Sequence, residues 1–333
     1  MNKIKITKRL LLASAISMPL TLFSCTYAPK KTKTIEPTKP KQTNSSSKTK
    51  NQNNKDKKQT SINDKTNEPN ESNNETNTKL NKINLFKQEI QESSINNQIK
   101  NQILNNDNLI NLLIDQKNNF AKYEQGNSEI EWLYVNTQDI NWLNQKNKAK
   151  FPNLKYIIAP NLIRIDNVNS CKELKYGYFP KVTYLRDNIF TNSKLVNIDF
   201  VELEHIGNNA FARTPLESIT APKLKKIGLF AFLWTKHLSN VNFPKLEEIE
   251  SAAFSDSNIC EISALSLVKI GDFAFQNTKL TNVSFPKLKE IGNMAFKYSL
   301  LSTINAPLLS KIGDKAFFKC PNEAQIKQQF DIA

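Results

Sequence analysis

Apolar residues recur with a period of about 21 residues through the second half of the chain. A leucine or isoleucine opens each unit, and a second one follows about 11 residues later. Eight units are visible, opening at Leu154, Leu174, Leu195, Leu216, Leu238, Ile259, Leu280 and Leu301. From the second unit onward each also carries a phenylalanine, namely Phe190, Phe211, Phe232, Phe254, Phe275, Phe296 and Phe317. Such regularity predicts one structural unit repeated along an array.

Each unit has the pattern of a short strand followed by turns. Inward and outward positions alternate from Leu216 to Thr220, as in a strand. Pro222 has no backbone N–H to donate and favours a turn. The glycine after the second isoleucine, such as Gly228, is expected to permit a positive backbone φ angle, which is unfavourable for other residues. One coil cannot bury its apolar side alone, so residues 151–322 are predicted to stack as an α/β-type leucine-rich repeat solenoid of short strands and turns, mostly β.

The phenylalanines are interpreted as the centre of this solenoid. Each lies at the same place in its unit, where it would meet its counterparts above and below. Burying a side chain of this size contributes roughly 1.5–3 kcal/mol, so stacking neighbours offset the entropy of ordering each coil.

Flanking segments are predicted to cap the array, because the outer face of a terminal repeat must be covered. Residues 80–150 form the predicted N-terminal cap region, which is helical over its first half because Ile95, Ile99 and Ile103 share one helix face. A separate binding module is the alternative for this region. Residues 323–333 are the predicted C-terminal cap.

The chain begins with the pattern of a secretory signal over residues 1–24. Lys3 to Arg9 are basic, and Leu10 to Phe23 are apolar but too few for a comfortable membrane span. The ending Leu22-Phe23-Ser24-Cys25 resembles the bacterial lipobox, although Phe23 is larger than the usual residue. That resemblance implies cleavage before Cys25 and diacylglycerol on its sulfur. An uncleaved anchor and ordinary secretory cleavage are the alternatives.

Residues 25–79 contain the lipidated cysteine and a polar segment rich in Lys, Thr, Asn and Ser. Such a composition cannot bury enough apolar surface to fold, so the segment is predicted to be a disordered tether. As a flexible coil it would have a root-mean-square reach of about 40 Å.

Net charge argues against nucleic-acid binding. The formal charge is +15, of which residues 1–25 contribute four, residues 26–80 six and residues 81–333 only five. Nucleic-acid binders concentrate basic residues on their folded part, whereas this folded part is nearly balanced.

One complete unit is Leu280-Thr-Asn-Val-Ser-Phe-Pro-Lys-Leu-Lys-Glu-Ile-Gly-Asn-Met-Ala-Phe296. It resembles the BspA-like leucine-rich repeat family, whose units read Leu-x-x-Ile-x-x-Pro and then Ile-Gly-x-x-Ala-Phe. The first two units depart from this pattern, with Asp166 and Arg186 in place of glycine. The resemblance implies a surface or secreted protein that adheres to host matrix proteins or to other cells.

Outward positions of the predicted strands form one candidate binding surface. They carry small polar residues that could bond an extended partner or could simply remain hydrated. The candidates are Asn197, Asp199, Glu217, Thr220, Asn240, Asn242, Asn282, Ser284, Thr303 and Asn305. Trp234 and His237 lie in the longest spacer between units and are the candidates for an exposed hot spot.

Enzymatic motifs are absent from the sequence. It contains two histidines and no Gly-x-Ser-x-Gly, His-Glu-x-x-His, phosphate-loop or Cys-x-x-Cys pattern. No enzyme activity, cofactor or metal is therefore expected. Cys171, Cys260 and Cys320 lie two or more coils apart, beyond disulfide reach, and are predicted to be buried thiols.

The predicted function is that of a lipoprotein on the outer face of the cell membrane whose solenoid binds a protein, such as a host or matrix component. The alternative is a structural envelope component that binds partners of the producing cell, and an enzyme or solute-binding lipoprotein ranks third.

Overall fold

The computed structural model describes residues 71–123, 125–138, 151–165, 168 and 171–331, with side chains from residue 75. The predicted signal peptide, Cys25, the tether as far as residue 70 and residues 139–150 of the predicted cap region lie outside the described residues.

Within the described residues, four α-helices and a short 3-10 helix flank the repeats. They are α1 (Glu71–Glu92), α2 (Asn97–Leu104), α3 (Asp107–Asn118), the 3-10 helix Phe120–Tyr123 and α4 (Glu323–Gln329). Asn96 and Asn106 cap α2 and α3 by accepting the backbone N–H of Gln98 at 2.9 Å and of Leu109 at 3.0 Å. None of the described helices is both long and apolar enough to cross a membrane.

Helix α1 begins inside the segment predicted to be a tether, which was expected to extend to residue 79. Residues 75–80 are exposed and polar except for Leu80, so no apolar pattern marks them as helical. They continue a helix already formed by the packed residues after them, since each residue added to an existing helix gains one backbone hydrogen bond.

Two sets of parallel strands run along the solenoid. The three-residue strands are β1 (Trp132–Tyr134), β2 (Tyr156–Ile158), β3 (Tyr176–Tyr178), β5 (Asn197–Asp199), β7 (Ser218–Thr220), β9 (Asn240–Asn242), β11 (Glu261–Ser263), β13 (Asn282–Ser284) and β15 (Thr303–Asn305). The two-residue strands are β4 (Tyr184–Leu185), β6 (His205–Ile206), β8 (Lys226–Ile227), β10 (Glu248–Ile249), β12 (Lys269–Ile270), β14 (Glu290–Ile291) and β16 (Lys311–Ile312). From β3 onward, each coil contributes one strand of each set, which confirms the predicted solenoid.

Strand pairing follows the sequence repeat, because equivalent strands of adjacent coils pair with each other. The two-residue strands form one seven-stranded sheet in the order β16-β14-β12-β10-β8-β6-β4. The three-residue strands form a five-stranded sheet, β1-β2-β3-β5-β7, and the pairs β9-β11 and β13-β15. The ladder is interrupted between β7 and β9, where the coil from Leu216 to Leu238 is one residue longer than the preceding one, and again between β11 and β13.

The phenylalanines form a continuous stack through the core. Successive rings from Phe190 to Phe317 have centroids 4.9–5.8 Å apart and interplanar angles of 6–14°. All seven are at most 2% exposed. Their predicted place in the core is confirmed.

The predicted reason for the repeated glycines was wrong. Within the described residues, Gly126 is the one glycine at positive φ. The repeat glycines are needed because backbones of adjacent coils meet there: a Cβ on Gly292 would lie 2.5 Å from the backbone N of Asp272. Left-handed backbone occurs two residues later, at Met294 in this coil, where φ is 53°.

Polar side chains fix the turns. Buried Thr214, Thr235 and Thr278 each donate to the carbonyl of the phenylalanine three residues earlier, at 2.8–2.9 Å. At the surface, Asn293 accepts a hydrogen bond from the backbone N–H of Asp314 at 2.8 Å. These bonds satisfy backbone groups that strands leave unpaired.

Both described ends of the solenoid are covered. The buried side chain of Gln116 on α3 bonds the carbonyl of Trp132 and the N–H of Tyr134, each at 2.8 Å, so it occupies the edge of β1 as a neighbouring strand would. At the other end Phe330 stacks on Phe317 with centroids 6.5 Å apart, and Gln329 donates to the carbonyl of Ile304 at 3.0 Å.

Cys171, Cys260 and Cys320 are buried, and none of them forms a disulfide. This confirms the prediction made from their spacing.

Candidate binding surfaces of the solenoid

We use the term strand face for the outward side of the three-residue strands. Its side chains form two rows, because the first and third residues of each strand point the same way. On β1 to β3 these residues are large, namely Trp132, Tyr134, Tyr156, Ile158, Tyr176 and Tyr178. On β7 to β15 they are Ser, Thr, Asn and Glu. The face therefore changes character along the solenoid.

Helices α1 to α3 cover the aromatic part of the strand face. Tyr134, Ile158, Tyr176 and Tyr178 are buried in one cluster with Phe86, Ile90, Ile99, Ile103 and Leu113. Tyr134 donates its hydroxyl proton to Glu89 on α1 at 2.5 Å. Burial raises the pKa of Tyr134 and of Tyr176 far above the ordinary tyrosine value, and acceptor carboxylates add to the effect. Tyr134 thus donates a hydrogen bond to the helical region, whereas the hydroxyl of Tyr176 accepts one from the backbone N–H of Asn96 at 3.3 Å.

Asp199 does not belong to the exposed surface, contrary to the sequence prediction. It is only 8% exposed and accepts a hydrogen bond from the hydroxyl of Tyr176 at 2.7 Å. Tyr176 belongs to the buried cluster of the preceding coil and contacts this carboxylate. The alternation of inward and outward residues within one strand cannot predict such a contact. Asn197, on the same strand, is half-buried and accepts from Ser218 at 2.7 Å.

The uncovered part of the strand face extends from β7 to β15. The predicted residues on it are exposed: Thr220, Asn240, Asn242, Asn282, Ser284, Thr303 and Asn305. Glu217 is also exposed, but it lies one residue before β7 and is not one of the outward strand residues. Neighbours in a row bond across coils, as Thr303 does to Asn282 at 2.7 Å and Asn305 to Ser284 at 3.1 Å. The result is a solvent-exposed surface of hydroxyl and amide groups that can both donate and accept hydrogen bonds.

Trp234 and His237 do not join this surface. Both are exposed, but they follow the two-residue strand and the core phenylalanine of their coil. We call this part of each coil, residues 228–236 here and their counterparts elsewhere, the turn side. Trp234 is 53% exposed with φ 62°, and the guanidinium carbon of Arg213 and Nζ of Lys236 lie 5.9 and 5.7 Å from its ring centroid.

Sequence reasoning missed the neighbours of Trp234. Leu229 and Phe230 are 36% and 40% exposed on the same turn side, and Leu233 is half-buried. The signal was the run of six apolar residues from Leu229 to Trp234, in which only Ala231 and Phe232 are fully buried.

The two-residue strands carry a third surface, which consists of charges of alternating sign. Lys226 and Lys269 pair with Glu248 at 3.2 and 3.3 Å, and Lys311 pairs with Glu290 at 3.7 Å. Burial alone would raise the pKa of Glu248, but the hydrogen bonds and charges of the two lysines outweigh it and lower that pKa. The lysines and glutamates of this surface therefore neutralise one another's charge.

Fold and surfaces together define a capped leucine-rich repeat solenoid. The chain belongs to the family described as BspA type Leucine rich repeat region: residues 138–214 and 204–324 match it, with six copies of the repeat, and these residues make up more than half of the chain. Among curated proteins, no sequence matches the chain.

Several solved structures are similar to the chain. A leucine-rich repeat protein from Bacteroides ovatus ATCC 8483 is 16% identical over 53% of this chain and 68% of that chain, with a TM-score of 0.33. A leucine rich cell surface protein from Faecalibacterium prausnitzii A2-165 is 26% identical over 40% of this chain and 43% of that chain, with a TM-score of 0.28. The pneumococcal vaccine antigen PcpA is 18% identical over 59% of this chain and 68% of that chain, with a TM-score of 0.21.

Proposed function

We propose that this chain is a non-enzymatic surface lipoprotein whose solenoid binds a protein through the uncovered strand face. The observation that carries the proposal is the change along that face. Helices cover its aromatic residues on β1 to β3, while the first and third residues of β13 and β15 remain exposed and carry small hydrogen-bonding side chains. An extended segment lying across several coils could bond these groups in turn.

Attachment to the membrane is the second part of the proposal. Lipid on Cys25 would hold the chain at the outer face of the cell membrane, and residues 26–70 would separate the solenoid from the lipid headgroups. The basis is the lipobox-like sequence and the polar composition that follows it.

The partner we propose is a host or matrix protein, which makes the chain an adhesin. Labelled full-length chain would be incubated with host cells, with purified matrix proteins and with envelopes of the producing cell. Saturable binding to host material is expected. Binding confined to the producer's envelopes would replace adhesion by a structural envelope role.

Variants then test the surface. Asn242→Glu combined with Ser284→Glu places two charges on the strand face, and binding should weaken about tenfold or more if these residues lie in the interface. Ser266→Glu combined with Ser310→Glu adds the same charge away from that face and serves as the matched control. Equal binding by both variants would refute the strand face as the binding surface.

A further inference from the structure

We propose that the turn side of the coil between Leu216 and Leu238 is a second docking site, which takes an acidic protein segment carrying large apolar side chains. The site is an apolar stripe formed by Leu229, Phe230, Leu233 and Trp234, and it is separate from the strand face. Its flanking cations are Arg213 and Lys236.

Among the described residues, only this coil exposes large apolar side chains at the places of Leu229, Phe230 and Trp234 together; further along, Phe273 and Tyr298 are exposed singly at the places of Phe230 and Trp234. At the positions of Leu229, Phe230 and Trp234, the preceding coil has Asn208, Asn209 and Arg213, and the next coil has Ser251, Ala252 and Asp256. Three exposed large apolar residues thus share a coil whose neighbours carry polar or small residues at the same places. The same coil contains one extra residue between Phe232 and Leu238, within the segment that contains Lys236.

Stability does not account for these residues. Phe230 and Trp234 have left-handed backbone, with φ 57° and 62°. Side chains of this kind are costly in that conformation, and asparagine tolerates it better. Asparagine does occupy the equivalent positions at Asn188, Asn209 and Asn277. The same two left-handed positions occur in the other coils from Asn188 onward, so what sets this coil apart is that Phe230 and Trp234, together with Leu229, expose large apolar side chains there.

The cations beside the stripe define the partner's charge. Several lysines of the solenoid pair with a glutamate of an adjacent coil, as Lys223 does with Glu202 and Lys225 with Glu204. Arg213 and Lys236 have no carboxylate partner among the described residues, and both lie over the Trp234 ring instead. A partner that brings carboxylates next to apolar side chains would satisfy the cations and cover the ring together.

A membrane surface fits this coil less well than a protein segment. A bilayer would press on neighbouring coils as well, where Asp256 and Asp272 present carboxylates at or beside the equivalent positions. A narrow segment can follow the single coil and avoid them. Charge and width therefore favour an acidic peptide over an anionic lipid surface.

Selection from a random 12-residue peptide library displayed on phage tests the proposal. The full-length chain would be the target, and peptides that bind the Trp234→Asn variant would be removed. Asparagine is native at this turn position, so the variant should fold, and a circular dichroism melt checks it. Selected peptides should combine Asp or Glu with Trp, Phe or Leu, and should bind the parent at least about tenfold more tightly than Trp234→Asn.

Two further variants locate the contact. Arg213→Gln combined with Lys236→Gln should weaken the same peptides by about tenfold, because the carboxylates lose their partners. Tyr298→Asn makes the matched change three coils away and should leave the affinity unchanged. Equal loss in Tyr298→Asn, or selected peptides without acidic residues, would overturn the proposal.

Other occupants give different results. Trp234-dependent binding to phosphatidylglycerol vesicles would overturn the proposal in favour of a lipid surface. Concentration-dependent dimerisation that Trp234→Asn abolishes, measured by sedimentation, would overturn it in favour of a second copy. The strand-face variant Asn242→Glu with Ser284→Glu should retain full peptide affinity, which separates this site from the function proposed above.

Discussion

Backbone strain in the repeat is located at particular residues of each coil. Each of seven coils places two residues other than glycine at positive φ, four positions apart, as with Lys315 and Lys319. The glycines nearby have a different task, which is to let the backbones of adjacent coils approach. A left-handed turn without glycine costs free energy, and substitution there can recover part of it.

Lys315→Asn should raise the free energy of unfolding by roughly 0.5–1 kcal/mol, because asparagine tolerates the left-handed conformation better than lysine. Lys315 is exposed, so little packing is lost. Urea denaturation followed by circular dichroism measures the change. Lys287→Asn, at an exposed position outside the positive-φ set, is the control, and an equal gain there would contradict the explanation.

Phe254→Ala should lower the free energy of unfolding by about 3–5 kcal/mol, since it opens a cavity in the middle of the ring stack. Phe254 is fully buried, with neighbouring ring centroids at 4.9 and 5.4 Å. Denaturant titration would measure the loss. Phe318→Ala alters a half-buried ring outside the stack and should cost clearly less; equal costs would mean that the stack has no special weight.

At the scale of elements, the helical region and the strand face depend on each other. Helices α1 to α3 supply the apolar cover for β1 to β3, and Tyr176 connects that cover to Asp199 on β5. The predicted cap of the first repeat's edge is only part of what these helices do. They also mark where the exposed strand face begins.

Tyr176→Phe should destabilise the chain by about 1.5–3 kcal/mol, because it leaves the largely buried carboxylate of Asp199 without this donor. Thermal or urea unfolding would detect the loss. Tyr156→Phe removes a hydroxyl from a half-buried ring on the adjacent strand and is the control. No difference between the two variants would show that the Tyr176–Asp199 bond does not hold the elements together.

The paired charges on the two-residue strands predict a dependence on pH. Because the pKa of Glu248 is lowered in the fold, its ion pairs stabilise at neutral pH, and the contribution is lost as the pH falls through the folded-state pKa. Glu248→Gln should therefore cost about 0.5–1 kcal/mol at neutral pH and almost nothing near pH 2, where the parent is also uncharged. Unfolding curves at both pH values test this; a cost that persists in acid would rule out ion pairing.

For the whole molecule, the solenoid is a set of coils that each contact only their neighbours, and its described ends are covered by α3 and α4. Such an array presents long surfaces without an enclosed site. The strand face, the turn side and the charged surface run side by side along it, so one chain can meet more than one partner.

The proposed lipid anchor is tested on the whole molecule. Cys25→Ala should move the protein from the membrane fraction to the medium, because each acyl methylene buried in the bilayer contributes about 0.8 kcal/mol. Fractionation followed by immunoblotting measures the distribution. Cys260→Ala removes a thiol within the solenoid and should not change it. Retention of the Cys25→Ala protein in the membrane would contradict lipid attachment at this residue.

The sequence alone determined the coil. Leucines, isoleucines and phenylalanines at a constant period have one efficient way to be buried, which is by stacking, so strands, turns, core and helical flank could all be predicted. Spacing also predicted that Cys171, Cys260 and Cys320 form no disulfide, because coils set their separation.

Tertiary structure decided which surface is exposed. Asp199 reads as an outward residue within its own strand, yet Tyr176 and the helices bury it, and helix packing depends on contacts between segments distant in sequence. Trp234 lies away from the strand residues for a similar reason, because the repeat period does not predict the path that a coil follows in space. The positive φ angles and the close approach of two backbones at Gly292 likewise arise where neighbouring coils are in contact. The sequence of a single repeat therefore does not reveal them.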